Sequence, residues 1–180
     1  MKLFMKKIII FVVCLLGILF FPAFSEAQNR PGIFAFSFSE GYDFFASKRN
    51  LKNTSLPMIA ISYNLTEKLG IEGLAGIINT HSKKAGNTFV HGNLYLLDGF
   101  YRFHQRGRLN PYLLAGLGVT GLKPNGNNEP TQAVNINAGL GALYHIGQNM
   151  GLRADVRDLY TFSGGENDIL VDFGVSFFTA

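Results

Sequence analysis

The chain has 180 residues, a net charge of +4 and one cysteine, which points to a single domain without a disulfide framework. So small a charge excess leaves no electrostatic footprint for nucleic acid. Its 21 glycines are dispersed through apolar segments with no three-residue period, and there are only six prolines, which excludes a collagen-like or disordered chain.

The first element is a targeting segment. Lys2, Lys6 and Lys7 precede an apolar run from Ile8 to Phe21, Pro22 ends it, and Ser25-Glu26-Ala27 places small residues at the −3 and −1 positions of a cleavage site. The run is shorter than the ~20 residues of a spanning helix. Residues 1–27 therefore read as a cleaved secretory signal peptide, and residues 28–180 as the mature domain. Cys14 lies inside the run behind Val13, which does not suit lipidation, so the mature chain would lack cysteine. Removing Lys2, Lys6, Lys7 and Glu26 would lower the net charge from +4 to about +2.

From residue 33 onward the chain alternates with a period of two, the signature of strands with one apolar face. Ile33 to Ser39 sets Phe34, Phe36 and Phe38 against Ala35, Ser37 and Ser39. Met58 to Leu65 sets Ile59, Ile61, Tyr63 and Leu65 against Met58, Ala60, Ser62 and Asn64. Leu69 to Ile77 carries Glu72 on its minority face, and Leu94 to Phe103 opposes Tyr95, Leu97, Tyr101 and Phe103 to a face with Asp98 and Arg102. Leu113 to Val119 alternates with Gly116 and Gly118. Val134 to Ile146 is the longest clean stretch, with Asn135, Asn137, Gly139, Gly141, Leu143 and His145 on the polar or small face. Leu152, Ala154 and Val156 oppose Arg153, Asp155 and Arg157. The last strand sets Val171, Phe173, Val175 and Phe177 against Asp172, Gly174 and Ser176.

About eight strands result, an even number that suits a closed barrel. Leu65 to Lys68, Gln105 to Asn110 and Gly147 to Met150 read as short turns; Glu40 to Ser55, Thr80 to Thr88, Lys123 to Pro130 and Ser163 to Asn167 read as longer loops. That alternation matches the periplasmic and external rims of a membrane barrel. The nearly charge-free face would meet hydrocarbon and the polar face would line the interior. Tyr63, Tyr101, Phe103, Tyr144 and Phe177 at one rim, with Tyr160 and Phe162 at the other, form a candidate interfacial girdle. The alternative is a secreted soluble barrel of lipocalin type, with the apolar face inward.

The stretches Pro111-Tyr112-Leu113-Leu114-Ala115-Gly116-Leu117-Gly118, Asn137 to Tyr144, Leu152 to Asp158, and Val171 to Phe178 resemble, in order and spacing, the OmpA-like outer-membrane β-barrel domain family. The resemblance covers most of the mature chain and is strongest from Tyr101 onward. It implies a bacterial outer-membrane location in a Gram-negative cell, contact with outer-membrane lipid and lipopolysaccharide, and insertion by the barrel-assembly machinery. Many such proteins add a peptidoglycan-binding domain after the barrel. Here the sequence stops at Ala180 after the last strand, so a tethering role is not carried over. The family's closing strand commonly ends on an aromatic residue; Phe178 is followed by Thr179 and Ala180, which implies altered recognition by the assembly machinery.

Glu72, Asp98, Arg102, Arg153, Asp155, Arg157 and Asp172 form the candidate interior charge network. Barrels of about eight strands have interiors just wide enough for side chains, so a paired plug is favoured over an ion path. Asp158 falls on the lipid-facing parity. Lys48, Arg49, Lys52, Lys83, Lys84 and Lys123 are candidate loop contacts to lipopolysaccharide phosphates. His81, His91, His104 and His145 look scattered and make no metal site. His81-Ser82 is the one candidate nucleophile pair, but neighbours on a strand point to opposite faces. No helix follows the glycine-rich runs, so they form no phosphate loop. No catalytic, metal or cofactor residue is assigned.

The sequence thus predicts an all-β, eight-stranded antiparallel transmembrane up-and-down β-barrel with a plugged polar interior, monomeric, in a structural or surface-interaction role without nucleic acid. The alternatives are a narrow pore or carrier for small hydrophobic molecules of the OmpW type, and a lipid-modifying enzyme.

Overall fold

The computed structural model describes residues 30–83, 88–103, 107–125 and 131–179. The expected signal segment lies outside them. The described chain folds into eight antiparallel strands: β1 (Phe34–Phe44), β2 (Thr54–Asn64), β3 (Leu69–His81), β4 (Phe89–Arg102), β5 (Leu109–Pro124), β6 (Thr131–His145), β7 (Met150–Thr161) and β8 (Glu166–Phe178). Each strand pairs with the next, and β8 pairs back onto β1, closing the barrel.

The outer wall is apolar. Phe36, Phe38, Ile59, Ile77, Leu97, Leu117, Leu140 and Phe173 all point away from the axis and stand exposed. Water would not tolerate so continuous an apolar surface on a monomer, whereas hydrocarbon requires it. The soluble arrangement, with this face inward, is not the one adopted.

Register fixes the geometry. The ring of paired residues that leaves β1 at Phe34 runs through Tyr63, Ile71, Gly99, Ala115, Ala138, Asp158 and Ile169, and returns to β1 at Phe44, ten residues on. That stagger inclines the strands by about 40°. Each residue then climbs about 2.5 Å along the axis. Phe34, Tyr63, Tyr101, Phe103 and Phe177 come to lie near one level at the short-turn end. Tyr42, Phe44, Tyr160 and Phe162 lie near another, about 25 Å higher, the height of an apolar band.

The strands outrun the apolar alternation that announces them. β1 continues to Phe44 and β3 to His81, β4 begins at Phe89, and β7 continues to Thr161. Glu40, Asn79, His91, Asn93, Asp158 and Asn167 are outward-facing strand residues. At Asn79, His91 and Asn93 the hydrogen-bonded ladder persists while its outer face turns polar toward the headgroups, whereas Glu40 lies below the outward Tyr42 and Phe44; the loops are shorter than expected. Leu109 and Asn110, expected in a turn, begin β5.

Local chemistry makes the turns. The Thr66 hydroxyl accepts from the backbone N–H groups of Lys68 and Leu69 at 3.2 and 2.9 Å, closing the β2–β3 connection. Gly164 and Gly165 adopt φ of +108° and +61° between β7 and β8, a conformation side chains disfavour.

Candidate functional site

The lumen holds three layers. Toward the long-loop end it is apolar: Leu56, Met58, Leu74, Ile78, Leu94 and Leu170 are buried in one cluster. This corrects the expectation of a polar interior. The minority faces of β2, β3 and β4 carry leucine, methionine and isoleucine, and side chains that meet across so narrow a barrel pack as a soluble core does. Phe45 and Leu51 from the β1–β2 loop complete that cluster.

The loop is held down as well as buried. A 3-10 turn at Ser47–Arg49 projects Arg49 inward. Its Nε lies 2.7 Å from Asp168 Oδ2 and 3.2 Å from Glu166 Oε2, and its Nη2 donates to Thr161 Oγ1 at 2.5 Å. The Ala46 N–H donates to Asp168 Oδ1 at 2.8 Å. On the other side Lys52 N–H reaches the His81 carbonyl at 2.9 Å. The loop is therefore a strap across the long-loop mouth of the barrel. Arg49, expected to face lipopolysaccharide, does not: its side chain is only 7% exposed. Three acceptors outbid solvent for its guanidinium.

The middle layer is charged. Arg153 binds Glu72 through Nη1 at 2.6 Å and Nη2 at 3.0 Å, and also Asp155 Oδ2 through Nη2 at 2.7 Å. Arg157 meets Glu72 Oε1 through Nη2 at 2.9 Å and Asp98 through Nη1. Asp172 Oδ2 stands 3.9 Å from Arg157 Nε. Of the seven network candidates these six converge. Arg102 sits apart: Nη1 donates to Asn64 Oδ1 at 2.9 Å, and its guanidinium lies 4.5 Å from the Phe100 ring centre. Two guanidiniums thus face four carboxylates; neutral donors add bonds to Asp155 and Asp98, while neither oxygen of Asp172 accepts a hydrogen bond among the described residues. The Tyr112 hydroxyl donates to Asp155 Oδ1, and Asn137 Nδ2 to Asp98 Oδ1 at 2.7 Å. Sequence reasoning did not single out Tyr112 or Asn137, although strand parity puts both on the charged face. Glycines make the space: a Cβ at Gly141 would meet Asp155 Oδ1 at 2.1 Å, and one at Gly116 would meet Asp98 Oδ1 at 2.2 Å.

The third layer, toward the short turns, packs Ala35, Phe100, Tyr112, Leu114, Leu143 and Phe178. Between it and the charges lies a cavity of about 30 Å³, bordered by Ser37, Ser62, Glu72, Arg102 and Arg153. Two waters at most would fit.

Of the other candidate cations, Lys48, Lys52, Lys83 and Lys123 are exposed. Lys84 and His104 lie outside the described residues. His145 is buried in the lumen against Phe178. His81 and His91 are not scattered: the Phe89 ring lies between them, at 4.8 and 4.4 Å. Ser82 bridges to Leu51 beyond the end of β3. Asp158 faces outward with no bulge beneath it and accepts from Asn167 Nδ2 at 3.1 Å. Among the described residues no three metal-ligating side chains converge.

The family model described as the OprF membrane domain matches residues 1–179. The chain belongs to the OprF membrane-domain family. It is 32% identical over 168 residues to outer membrane porin F of Pseudomonas aeruginosa, an alignment that takes in 86% of this chain and 46% of that protein. It spans about half the length of that relative. The N-terminal β-barrel domain of Pseudomonas aeruginosa OprF superposes with a TM-score of 0.60 at 22% identity, covering 81% of this chain and 97% of that one. Neisserial surface protein A superposes with 0.67 at 17% identity, over 81% and 98%. Identities this low show a shared fold. They place an OprF-type barrel among small membrane barrels and assign no ligand.

Proposed function

We propose that this OprF-type domain is a non-enzymatic outer-membrane barrel whose lumen is sealed, with a structural or surface-interaction role. The observation that carries the reading is the stacked lumen: an apolar core, a charge belt and an aromatic layer fill it in turn, and the space between the last two is only about 30 Å³. Hydrated ions would have to displace packed leucines or break bidentate arginine pairs. In this reading residues 1–27 are removed on export and the barrel-assembly machinery inserts residues 28–180 as an OmpA-like monomer. Lys48, Lys52, Lys83, Lys84 and Lys123 then meet lipopolysaccharide phosphates at the external rim. Planar-bilayer recording tests the seal. Purified protein is expected to give no current steps, and a reproducible unitary conductance would overturn it.

A second reading, a carrier for small hydrophobic molecules, is favoured by the apolar external half of the lumen beneath the Arg49 strap. Saturable quenching of an apolar fluorophore, lost when Leu94 or Leu170 becomes polar, would support it over the sealed barrel.

A further inference from the structure

The outer wall contains two features that the sealed lumen does not explain, and they adjoin. Beyond the last pairing of β3 with β2, at Gly76 and Met58, β3, β4 and β5 continue together to His81, Phe89 and Pro124. This extension rises above the upper aromatic level into the headgroup layer. Its lipid-facing side presents Asn79, His81, His91, Asn93 and Lys123. His91 Nδ1 lies 2.9 Å from Asn79 Oδ1, and Lys123 stands directly opposite His91 in register. Hydrogen-bonding groups and a fixed positive charge at that level match an anionic, oxygen-rich head.

Below it runs a groove of about 650 Å³, descending from Asn93 across β4, β3, β2 and β1 to β8. Tyr95, Ile77, Ile59, Phe38 and Phe173 form its walls, and the short side chains of Ala75 and Pro57 leave its floor low. Glu40 also lines it. Glu40 is exposed on the outer face of β1, four residues below Phe44 and so about 10 Å beneath the upper aromatic level. Among the described residues no side chain pairs with it. An ionisable group held in hydrocarbon is costly and marks a site for a partner. That partner must bring a donor to Glu40, apolar chains to the groove and negative charge to Lys123.

We propose that the outer wall of β1–β5 seats one phosphorylated glycolipid whose acyl chains carry amide or hydroxyl groups, with lipopolysaccharide as its outer-leaflet source. The phosphorylated head lies against Lys123, His91 and Asn79, one chain fills the groove, and a chain N–H or O–H donates to Glu40. The proposal rests on the outer-membrane reading above and gives it a defined seat on the barrel wall in place of diffuse loop contacts.

The test uses the folded barrel in nanodiscs containing equal amounts of lipopolysaccharide and phosphatidylglycerol, with retained lipid counted by native mass spectrometry. Phosphatidylglycerol shares the negative charge but has no amide or hydroxyl on its chains. The wild type is expected to retain lipopolysaccharide preferentially. E40L is expected to cut that preference about tenfold, the loss of one charged hydrogen bond. A75F, which fills the groove, should abolish it, and K123Q/H91Q should weaken retention of both lipids. Leucine and phenylalanine on a lipid-facing strand leave the fold intact, and a preserved gel-mobility shift in each variant separates failure of the seat from failure of the barrel. Equal retention of the two lipids by the wild type, or unchanged preference in E40L and A75F, would overturn the proposal. So would a lipid-free dimer broken by A75F, which would assign the groove to a second copy of the chain.

Discussion

At the scale of single residues, the lumen depends on pairing. Glu72 receives both guanidiniums, Arg153 through two bonds and Arg157 through one. Removing it leaves two buried cations short of an acceptor. Glu72→Leu is expected to destabilise the barrel by about 3–5 kcal/mol, whereas Glu72→Leu with Arg153→Leu should recover part of that loss, because a deleted pair costs less than a broken one. Urea titration in detergent, followed by far-ultraviolet circular dichroism because the chain has no tryptophan, reads both. A double variant as unstable as the single one would count against a mutually compensated network. The same layer predicts an overpacking defect. Gly141→Ala places a methyl on the Asp155–Tyr112 contact and is expected to cost about 1–3 kcal/mol in the same titration. An outward glycine such as Gly73, where a Cβ would meet nothing within 4 Å, is expected to accept alanine freely.

At the scale of elements, parity was the legible signal. A one-residue slip would turn every side chain to the opposite face, so the alternation of Phe34, Phe36 and Phe38 with Ala35 and Ser37 was enough to orient β1. The same parity turns the charged residues Arg153, Asp155, Arg157 and Asp172 of β7 and β8 inward. Strand ends were not legible. Glu40, Asn79 and His91 are polar where a membrane strand was expected to be apolar, and a backbone ladder can continue where hydropathy no longer reports it. The strap was hidden for another reason. Arg49 lies in a polar loop with Lys48 and Lys52, and nothing local distinguishes the one cation that folds inward to Asp168 from two that remain in solvent. Its role has a measurable consequence. Arg49→Ala is expected to raise the rate of tryptic cleavage at Lys48 or Lys52 by about tenfold or more while leaving strand content unchanged, because the strap loses its ties to β7 and β8. Unaltered cleavage would mean that the buried Phe45 and Leu51 hold the loop without the arginine.

At the scale of the molecule, the ten-residue stagger of eight strands sets a radius that side chains alone can fill. The face that meets lipid is legible in the sequence, since Ile59, Leu97 and Phe173 leave no other solvent for it. The lumen is polar only in its middle layer, because Leu56, Ile78 and Leu94 lie on minority faces whose apolar character is masked in the sequence by equally apolar outward neighbours. Which inward residues touch depends on shear and tilt, and no single strand records either. The molecule inverts a soluble protein: apolar outside, filled within, closed by the β1–β8 pairing. The most direct measurement is a heat-modifiability gel on fractionated cells, comparing unboiled and boiled samples. A closed detergent-resistant barrel gives a band in the outer-membrane fraction whose mobility shifts on boiling, which is the expected result. A soluble periplasmic protein whose mobility does not change would contradict it.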